Sequence, residues 1–288
     1  MAIHQKKIFC TFADSRLSRT LKRIKNQAHA IGIYDELHVL TETDLDFDFI
    51  NRFKDHLIKG SKGYGYWVWK PQIILQTLEK MNDGDLLQYT DAGCWINQKG
   101  KNRLLEYFEL ANEYGALAFQ VKNTFDEPHL NNFSLPSRNW TKGDIFDYFN
   151  VRNNPEITDT EQIGAGIIFL KKSNDIVQLI KDWLRVYEDN FSLVDDTPSF
   201  SKNLDGFIEN RHDQSIFGIL CKLRGINTLS AFEYYYPSAE DPTKADWIKL
   251  HNYPIWAKRD KNLGIWGALL YKFNRILTRF TFNQNKLY

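Results

Sequence analysis

Only three cysteines, Cys10, Cys94 and Cys221, occur in the 288 residues, far apart and without a CxxC pair. So sparse and odd a set excludes a disulfide framework and a structural zinc site, and it fits a reduced, cytoplasmic setting. A charge surplus is missing too: 37 Lys and Arg face 36 Asp and Glu, a net charge of +1. Neutralising a polyanion requires a basic excess, so nucleic acid is not an expected partner. No run approaches the roughly 20 apolar residues of a membrane span. The opening MAIHQKKIFCTF has no apolar stretch behind its basic residues and does not read as a signal peptide. Internal repeats and low-complexity tracts are also absent.

Aromatic residues, by contrast, make up 15% of the chain, enough to fill a core and still supply faces for stacking on sugars or bases. The length suits one large α/β domain. Lys7 to Phe12 is a short apolar run, Leu21, Ile24 and Ala28 recur at helical spacing within Ser18 to Ile31, and Glu36 to Leu40 alternates as a strand does. This β-α-β opening predicts a parallel sheet with a right-handed crossover. A helix is expected from Pro71 to Lys80, with Pro at its first position. Strands are expected at Asp85 to Thr90, Ala116 to Val121, Ile163 to Lys171 and Thr228 to Tyr235. Further helices fall at Arg103 to Tyr114, Asn174 to Glu188 and Asp213 to Arg224. The polar stretch from Lys122 to Thr160, with a short helical piece near Trp140 to Phe149, is long enough to be a functional loop.

Four places carry candidate chemistry. In DLLQYTDAGCW an apolar strand stops and Asp91 is followed by Ala92 and Gly93, small residues that leave room for a ligand at the carboxyl edge of the sheet. A carboxylate there can hold a divalent cation against a diphosphate, although a turn-capping Asp explains it equally. GYGYWVWKP packs two glycines, four rings and Lys70 against a helix start, a place that attracts anions. It also fits an aromatic packing corner with a solvated lysine. In HDQSIFGIL, Asp213 is accounted for as a helix cap, while His212 and Gln214 are not. In KLHNYPIWAKR the lone His251 is a candidate ligand or a structural histidine.

Taken in order, the G-Y-x-x-W-K-P segment, the GD-x-x-x-Y-x-D-A-G segment, the GAG strand and the HDQS helix start resemble bacterial capsule and lipopolysaccharide glycosyltransferases of the GT-A fold. The resemblance spans about residues 7 to 255. It implies a Rossmann-like domain with a mixed, mostly parallel sheet flanked by helices over residues 1–260. It also implies a nucleotide-sugar donor, a UDP-sugar first among them, and a hexosyl group passed to a glycan or lipid-linked acceptor. A looser likeness to the retaining galactosyltransferases of family 8 sets Asp91 at the first Asp of the metal motif. The same likeness sets Gly164-Ala165-Gly166 at an Asn-Ala-Gly strand, Asp213-Gln214-Ser215 at an Asp-Gln-Asp helix start, and His251 at a late metal-binding histidine. Here Gly93 stands where the second metal Asp would be, so the manganese or magnesium ion that the likeness implies loses a ligand.

The donor site implied by these resemblances consists of Thr11, Phe12, Lys70, Asp91, Ala92, Gly93, Gly164, Ala165, Gly166 and His212. Asp91 and His251 are the metal candidates, and Trp67 and Trp140 the acceptor-stacking rings. Lys70, Asp213 and Gln214 are the catalytic candidates: Gln214 beside the anomeric carbon if configuration is retained, Asp213 as base if it is inverted. Beyond Arg259, residues 261–288 form a separate tail. Its Leu263 to Phe282 pattern, apolar with Lys272, Arg275 and Arg279 interspersed, fits a helix lying on the inner face of an anionic membrane or docked on the domain or a second subunit. Two rival functions are a carbohydrate-binding protein without catalysis, and a glycoside hydrolase with paired carboxylates and no diphosphate site.

Overall fold

The computed structural model describes residues 4–241 and 243–260. The tail expected over 261–288 lies outside the described residues. The strands are β1 (Lys7–Phe12), β2 (Glu36–Leu40), β3 (Leu86–Thr90), β4 (Trp95–Ile96), β5 (Ala116–Gln120), β6 (Ile163–Lys171), β7 (Asn227–Ser230) and β8 (Ile255–Trp256). Helices are α1 (Ser18–Ile31), α2 (Phe47–Phe53), α3 (Gly63–Tyr66), α4 (Trp69–Glu79), α5 (Lys101–Tyr114), α6 (Gly143–Tyr148), α7 (Pro155–Thr158), α8 (Asn174–Asp189) and α9 (Asp213–Leu223).

Six strands form one sheet in the order β2-β1-β3-β6-β5-β7, and β4 pairs with β8 as a separate two-stranded ladder. β1 runs parallel to β2 and β3, and β5 parallel to β7, whereas β6 is antiparallel to both β3 and β5. The sheet is therefore mixed and mostly parallel, as the resemblance implies, where the β-α-β opening alone predicts a parallel one. The reversal of β6 matters for the site, because it brings the amino end of that strand to the edge where β1 and β3 have their carboxyl ends.

Alternation along each strand sends side chains to two cores. On β1, Ile8, Cys10 and Phe12 join the core under α4, α8 and α9, while Phe9 joins the core under α1 and α5. Helix α8 buries Ile176, Leu179, Ile180, Trp183 and Tyr187, a 3–4 spacing that lays one stripe on the sheet. Its start is capped by the Ser173 side chain, which accepts from the Ile176 N–H. Helix α1 ends on Gly32 at φ 62°, the left-handed cap that glycine adopts without a Cβ clash.

Two expectations need correction. Helix α4 begins at Trp69, two residues before Pro71, so Lys70 sits inside the first turn and not ahead of it; Pro71 is tolerated there because first-turn N–H groups have no intrahelical partner. β7 ends at Ser230, whose side chain caps a 3-10 turn over Ala231–Glu233 and stops the strand short of Tyr235. The segment before α4 is stranger. Gly63, Tyr64, Gly65, Tyr66 and Trp67 all carry positive φ, between 50° and 84°. The turn α3 is thus left-handed, at about 1–2 kcal/mol for each non-glycine residue. Its geometry requires glycine at 63, where a Cβ would stand 2.5 Å from the Trp67 indole.

Candidate active site

Strand β3 is buried along its whole length and ends by presenting Asp91 at the sheet's carboxyl edge. The Asp91 N–H donates to the Gly166 carbonyl at 2.8 Å, which carries the β3–β6 pairing one residue past the strand. Tyr89, two residues back and so on the same side, donates its hydroxyl to Asp91 Oδ1 at 2.5 Å. The loop that follows is clamped from α1: Arg23 donates to the Ala92 carbonyl at 2.9 Å and to the Cys94 carbonyl at 2.7 Å. Ala92 contributes backbone only, since its side chain is buried. Gly93 lies beneath the chain returning from β8. Its carbonyl accepts from the Asp260 N–H at 3.0 Å, and a Cβ on it would meet Arg259 Cα at 3.4 Å.

The GAG strand supplies space. A Cβ at Gly166 would stand 2.9 Å from Asp91 Oδ2, and one at Gly164 would stand 2.7 Å from the Tyr234 hydroxyl. Both glycines therefore make room on one face, for a carboxylate and a phenol. Ala165 between them is buried and offers its carbonyl to Lys70 at 3.2 Å. Opposite this stretch the β5–β6 register shifts between Leu117 and Phe119, an irregularity of the kind that re-aims backbone groups near sites.

Lys70 reaches the same point from α4, on the side of the sheet that Tyr89 faces. It lies on the face of α4 that also carries Ile74 and Thr77, a 4–3 spacing along the helix, and Thr77 donates to Cys10 Sγ on β1 at 3.5 Å. The ammonium is fully buried, 2.5 Å from Asp213 Oδ2 and 3.2 Å from Asp91 Oδ1. Asp213 opens α9 and is itself buried. One ammonium thus serves two carboxylates. Burial works against the Lys70 charge, yet Asp213 and Asp91 outweigh it and hold its pKa above the ordinary lysine value. Burial also pushes Asp213 above the usual carboxylate range; Lys70 pulls the other way, and the neighbouring Asp91 charge adds to the rise. A simple ion pair would lower the acid and raise the base. Both groups rise here because burial outweighs Lys70 at Asp213, while at Lys70 the two carboxylates together outweigh burial. Asp91 is the exposed member of the cluster, with its side chain 39% accessible.

The remaining candidates separate into those near this cluster and those elsewhere. Gln214 follows Asp213 and donates to Gln162 Oε1 at 3.1 Å, just ahead of β6. Thr11 and Phe12 are buried in β1. The Thr11 hydroxyl has no hydrogen-bond partner among the described residues, and the Phe12 ring stacks on Trp69 at 4.1 Å, so neither shows a free face. His212 is a packing residue. Its Nδ1 lies 2.5 Å from the Val194 carbonyl and its ring stacks on Trp67 at 5.6 Å, while burial lowers its pKa to about 4. A histidine so depressed is neutral at pH 7 and donates Nδ1–H to that carbonyl. Trp67 is taken up by this stack, and the Trp140 ring by the Arg211 guanidinium at 4.3 Å, so both expected acceptor rings already have partners.

His251 does not join Asp91. It occupies an exposed turn, where its Nδ1 pairs with the Ile248 carbonyl at 3.0 Å and its own carbonyl accepts from Asn97 at 2.7 Å. The antiparallel β4–β8 register explains this: it sets residues 251–254 beside Asn97 and brings Arg259 and Asp260 to Gly93. Among the described residues no group of three or more His, Cys, Asp or Glu is placed to hold a metal ion. Asp91 Oδ1 is already committed to Tyr89 and Lys70, and hard cations want six or more oxygens. The residues present therefore do not fit a protein-held divalent cation.

Sequence reasoning gave no role to Tyr89, Tyr234, Arg211 or Arg259. The position of Tyr89, two residues before Asp91 on an alternating strand, was the available signal. Arg259 passes over the Asp91 loop, its Cα 3.4 Å from where a Cβ on Gly93 would stand. Two surface hollows of about 400 and 490 Å³ lie elsewhere, one lined by Arg103, Lys122 and Tyr253, the other by Tyr148, Arg185 and Arg224. Neither touches the Lys70 cluster, and the chemistry outweighs the hollows in choosing the site.

No family model matches the chain, and no curated protein matches it. Among solved structures it is similar to a glycosyltransferase involved in the glycosylation of the major capsid of PBCV-1, at 10% identity and TM-score 0.47 over 90% of this chain and 98% of that one. It is also similar to mouse xyloside xylosyltransferase 1, at 7% identity and TM-score 0.43 over 88% and 97%. A third is the bifunctional glycosyltransferase WbbM, at 12% identity and TM-score 0.45 over 88% of this chain and 44% of that one. At such identities and scores these likenesses carry no argument about activity.

Proposed function

We propose that the protein is a glycosyltransferase that moves a hexosyl group from a nucleotide-sugar donor, a UDP-sugar first among them, to a glycan or lipid-linked acceptor of a surface polysaccharide. The observation that carries this reading is the buried Lys70 ammonium held between Asp91 and Asp213 at the carboxyl edge of the sheet. Three segments distant in sequence, WKP, TDAG and HDQS, converge on that point. A cation bound to two carboxylates beside an open edge is a preorganised charge for a departing diphosphate, and it needs no rearrangement when the negative charge develops.

In the transfer, the bond from the anomeric carbon to the diphosphate oxygen breaks with its electron pair on oxygen. The acceptor oxygen bonds to that carbon, and its proton passes to a carboxylate or to the departing phosphate. Lys70 stabilises the leaving charge. Asp91, the exposed carboxylate, faces the ligand, and Gln214 lies one residue beyond Asp213 at the head of α9. Retention with Gln214 at the anomeric carbon and inversion with Asp213 as base both agree with this arrangement. A cytoplasmic setting goes with the reading, at the inner face of the membrane where the acceptor is lipid-linked. It is supported by three cysteines that are all free and buried. Among the described residues no helix is long and apolar enough to cross a membrane.

Thermal-shift measurements against a panel of nucleoside diphosphates, with and without manganese, test the donor site. A rise in Tm with at least one of them is expected. No stabilisation by any would remove the reading.

A further inference from the structure

We infer that Lys70 stands in for a divalent cation, so that the site binds and discharges a diphosphate with the chain's own cations, Lys70 assisted by Arg259 beside Gly93. The identity of the anion rests on the proposed function; the absence of a cation requirement rests on the geometry.

Four observations converge. First, the carboxylate oxygens that would ligate a cation are in use. Asp91 Oδ1 accepts from Tyr89 at 2.5 Å and from Lys70 at 3.2 Å, and Asp213 Oδ2 accepts from Lys70 at 2.5 Å. That leaves Asp91 Oδ2, which packs against Gly166, as a single protein oxygen for a divalent cation, whose remaining ligands would all have to come from phosphate and water. Second, an ion on that oxygen would share the Asp91 carboxylate with a buried ammonium, and like charges repel strongly in a desolvated site. Third, the residue that follows Asp91 by two is Gly93, and the space above it is filled by the backbone of Arg259 at 3.4 Å from where a Cβ would be. A second carboxylate is absent from that position and an arginine is delivered to it. Fourth, His251 is held by Asn97 and Ile248 at the opposite end of the β4–β8 ladder.

Positive charge is therefore supplied by the chain itself. The Lys70 ammonium lies behind Asp91. Arg259 passes beside Gly93, its Cα 3.4 Å from where a Cβ on that glycine would stand, so a second cationic residue borders the Asp91 loop.

The test uses the full-length chain and two probes, manganese alone and a nucleoside diphosphate. In electron paramagnetic resonance, the native protein is expected to leave the solution spectrum of manganese unchanged. By calorimetry, nucleoside diphosphate affinity is expected to agree within about 3-fold between EDTA and manganese. Asp91→Asn is expected to bind the nucleotide as tightly or more tightly, because a negative charge beside the anion has gone. A metal site predicts the reverse sign, about 10-fold or greater weakening. Stoichiometric manganese binding by the native protein that is lost in Asp91→Asn would overturn the inference. If no nucleoside diphosphate binds in either buffer, the anion assignment falls with the proposed function, while the manganese spectrum of the protein alone still decides whether Lys70 excludes the cation.

Discussion

Removing the Lys70 charge is the perturbation whose outcome the structure specifies most fully. Lys70→Met keeps most of the side-chain volume and removes an ammonium with three partners, Asp213 at 2.5 Å and Asp91 and the Ala165 carbonyl at 3.2 Å each. Breaking a buried pair by deleting one partner costs about 3–5 kcal/mol, because the other charge stays buried and uncompensated. Asp213→Asn is milder: its amide oxygen still accepts from Lys70, and Lys70 keeps Asp91, so about 1–3 kcal/mol is expected. The double variant removes the cation and one buried carboxylate together. It should lose less than the sum of the singles, with a coupling of up to about 3 kcal/mol. Urea unfolding monitored by fluorescence gives all four values.

The pH dependence adds a sign. Asp213 already titrates above the usual carboxylate range through burial, and without Lys70 it rises further. A carboxyl raised in the folded state contributes stability that is fully present below its unfolded pKa, near 4, and lost as pH rises through the folded value. The deficit of Lys70→Met relative to native should therefore shrink as pH is lowered from 7 toward 4, and that of the double variant should shrink less. Additive losses with a deficit independent of pH would refute a cluster in which one ammonium serves two carboxylates.

Two further outcomes follow from the same geometry. Gly166→Ala places a methyl 2.9 Å from Asp91 Oδ2, and overpacking of this kind costs about 1–3 kcal/mol; donor turnover should fall further than the stability loss explains, since Asp91 must move, and unchanged turnover would show that the Asp91 position is immaterial. His212 is buried neutral with its pKa lowered to about 4, so its contribution is present above pH 6.5 and lost as pH falls toward 4, at most about 3 kcal/mol. His212→Gln should accordingly flatten the acid limb of the stability profile measured by urea midpoints, and an unchanged limb would mean that His212 is already protonated in the fold.

The parts of the molecule legible in the sequence are those where one residue pattern has one physical solution. Strand β1, helix α1 and strand β2 fall where the alternation and the Leu21–Ile24–Ala28 spacing place them, because a half-buried helix and two core strands leave a direct periodic trace. The direction of β6 leaves no such trace, as Ile163 to Lys171 would read alike in a parallel or an antiparallel ladder. Helix α2 is short and its Phe47 is exposed, so the periodic signal is weak. The left-handed turn Gly63 to Trp67 defies local propensity, with three aromatic residues in a region that glycine favours. It is sustained by tertiary contacts such as Trp67 on His212 and the Trp69 Nε1–H bond to the Gly63 carbonyl at 2.8 Å.

The site shows the same division. Lys70, Asp91 and Asp213 stand out in the sequence because each belongs to a dense local motif. Their mutual ion pairs do not, since they are created by three segments meeting in space. His212 stood out for the same reason as Asp213, yet its Nδ1 goes to the Val194 carbonyl, its Nε2 faces Asp196 at 3.7 Å and its ring stacks on Trp67. Arg259 lies in an irregular stretch and reaches Gly93 only through the β4–β8 register.

The most direct test of the account is the release of nucleoside diphosphate from a panel of nucleotide sugars, followed by chromatography for the native protein and for Asp213→Asn. Release from at least one donor by the native protein, and its loss by about 100-fold or more in a variant that still folds, is the expected result for a group acting at the reacting centre. No release from any donor, or equal release by both proteins, would contradict it.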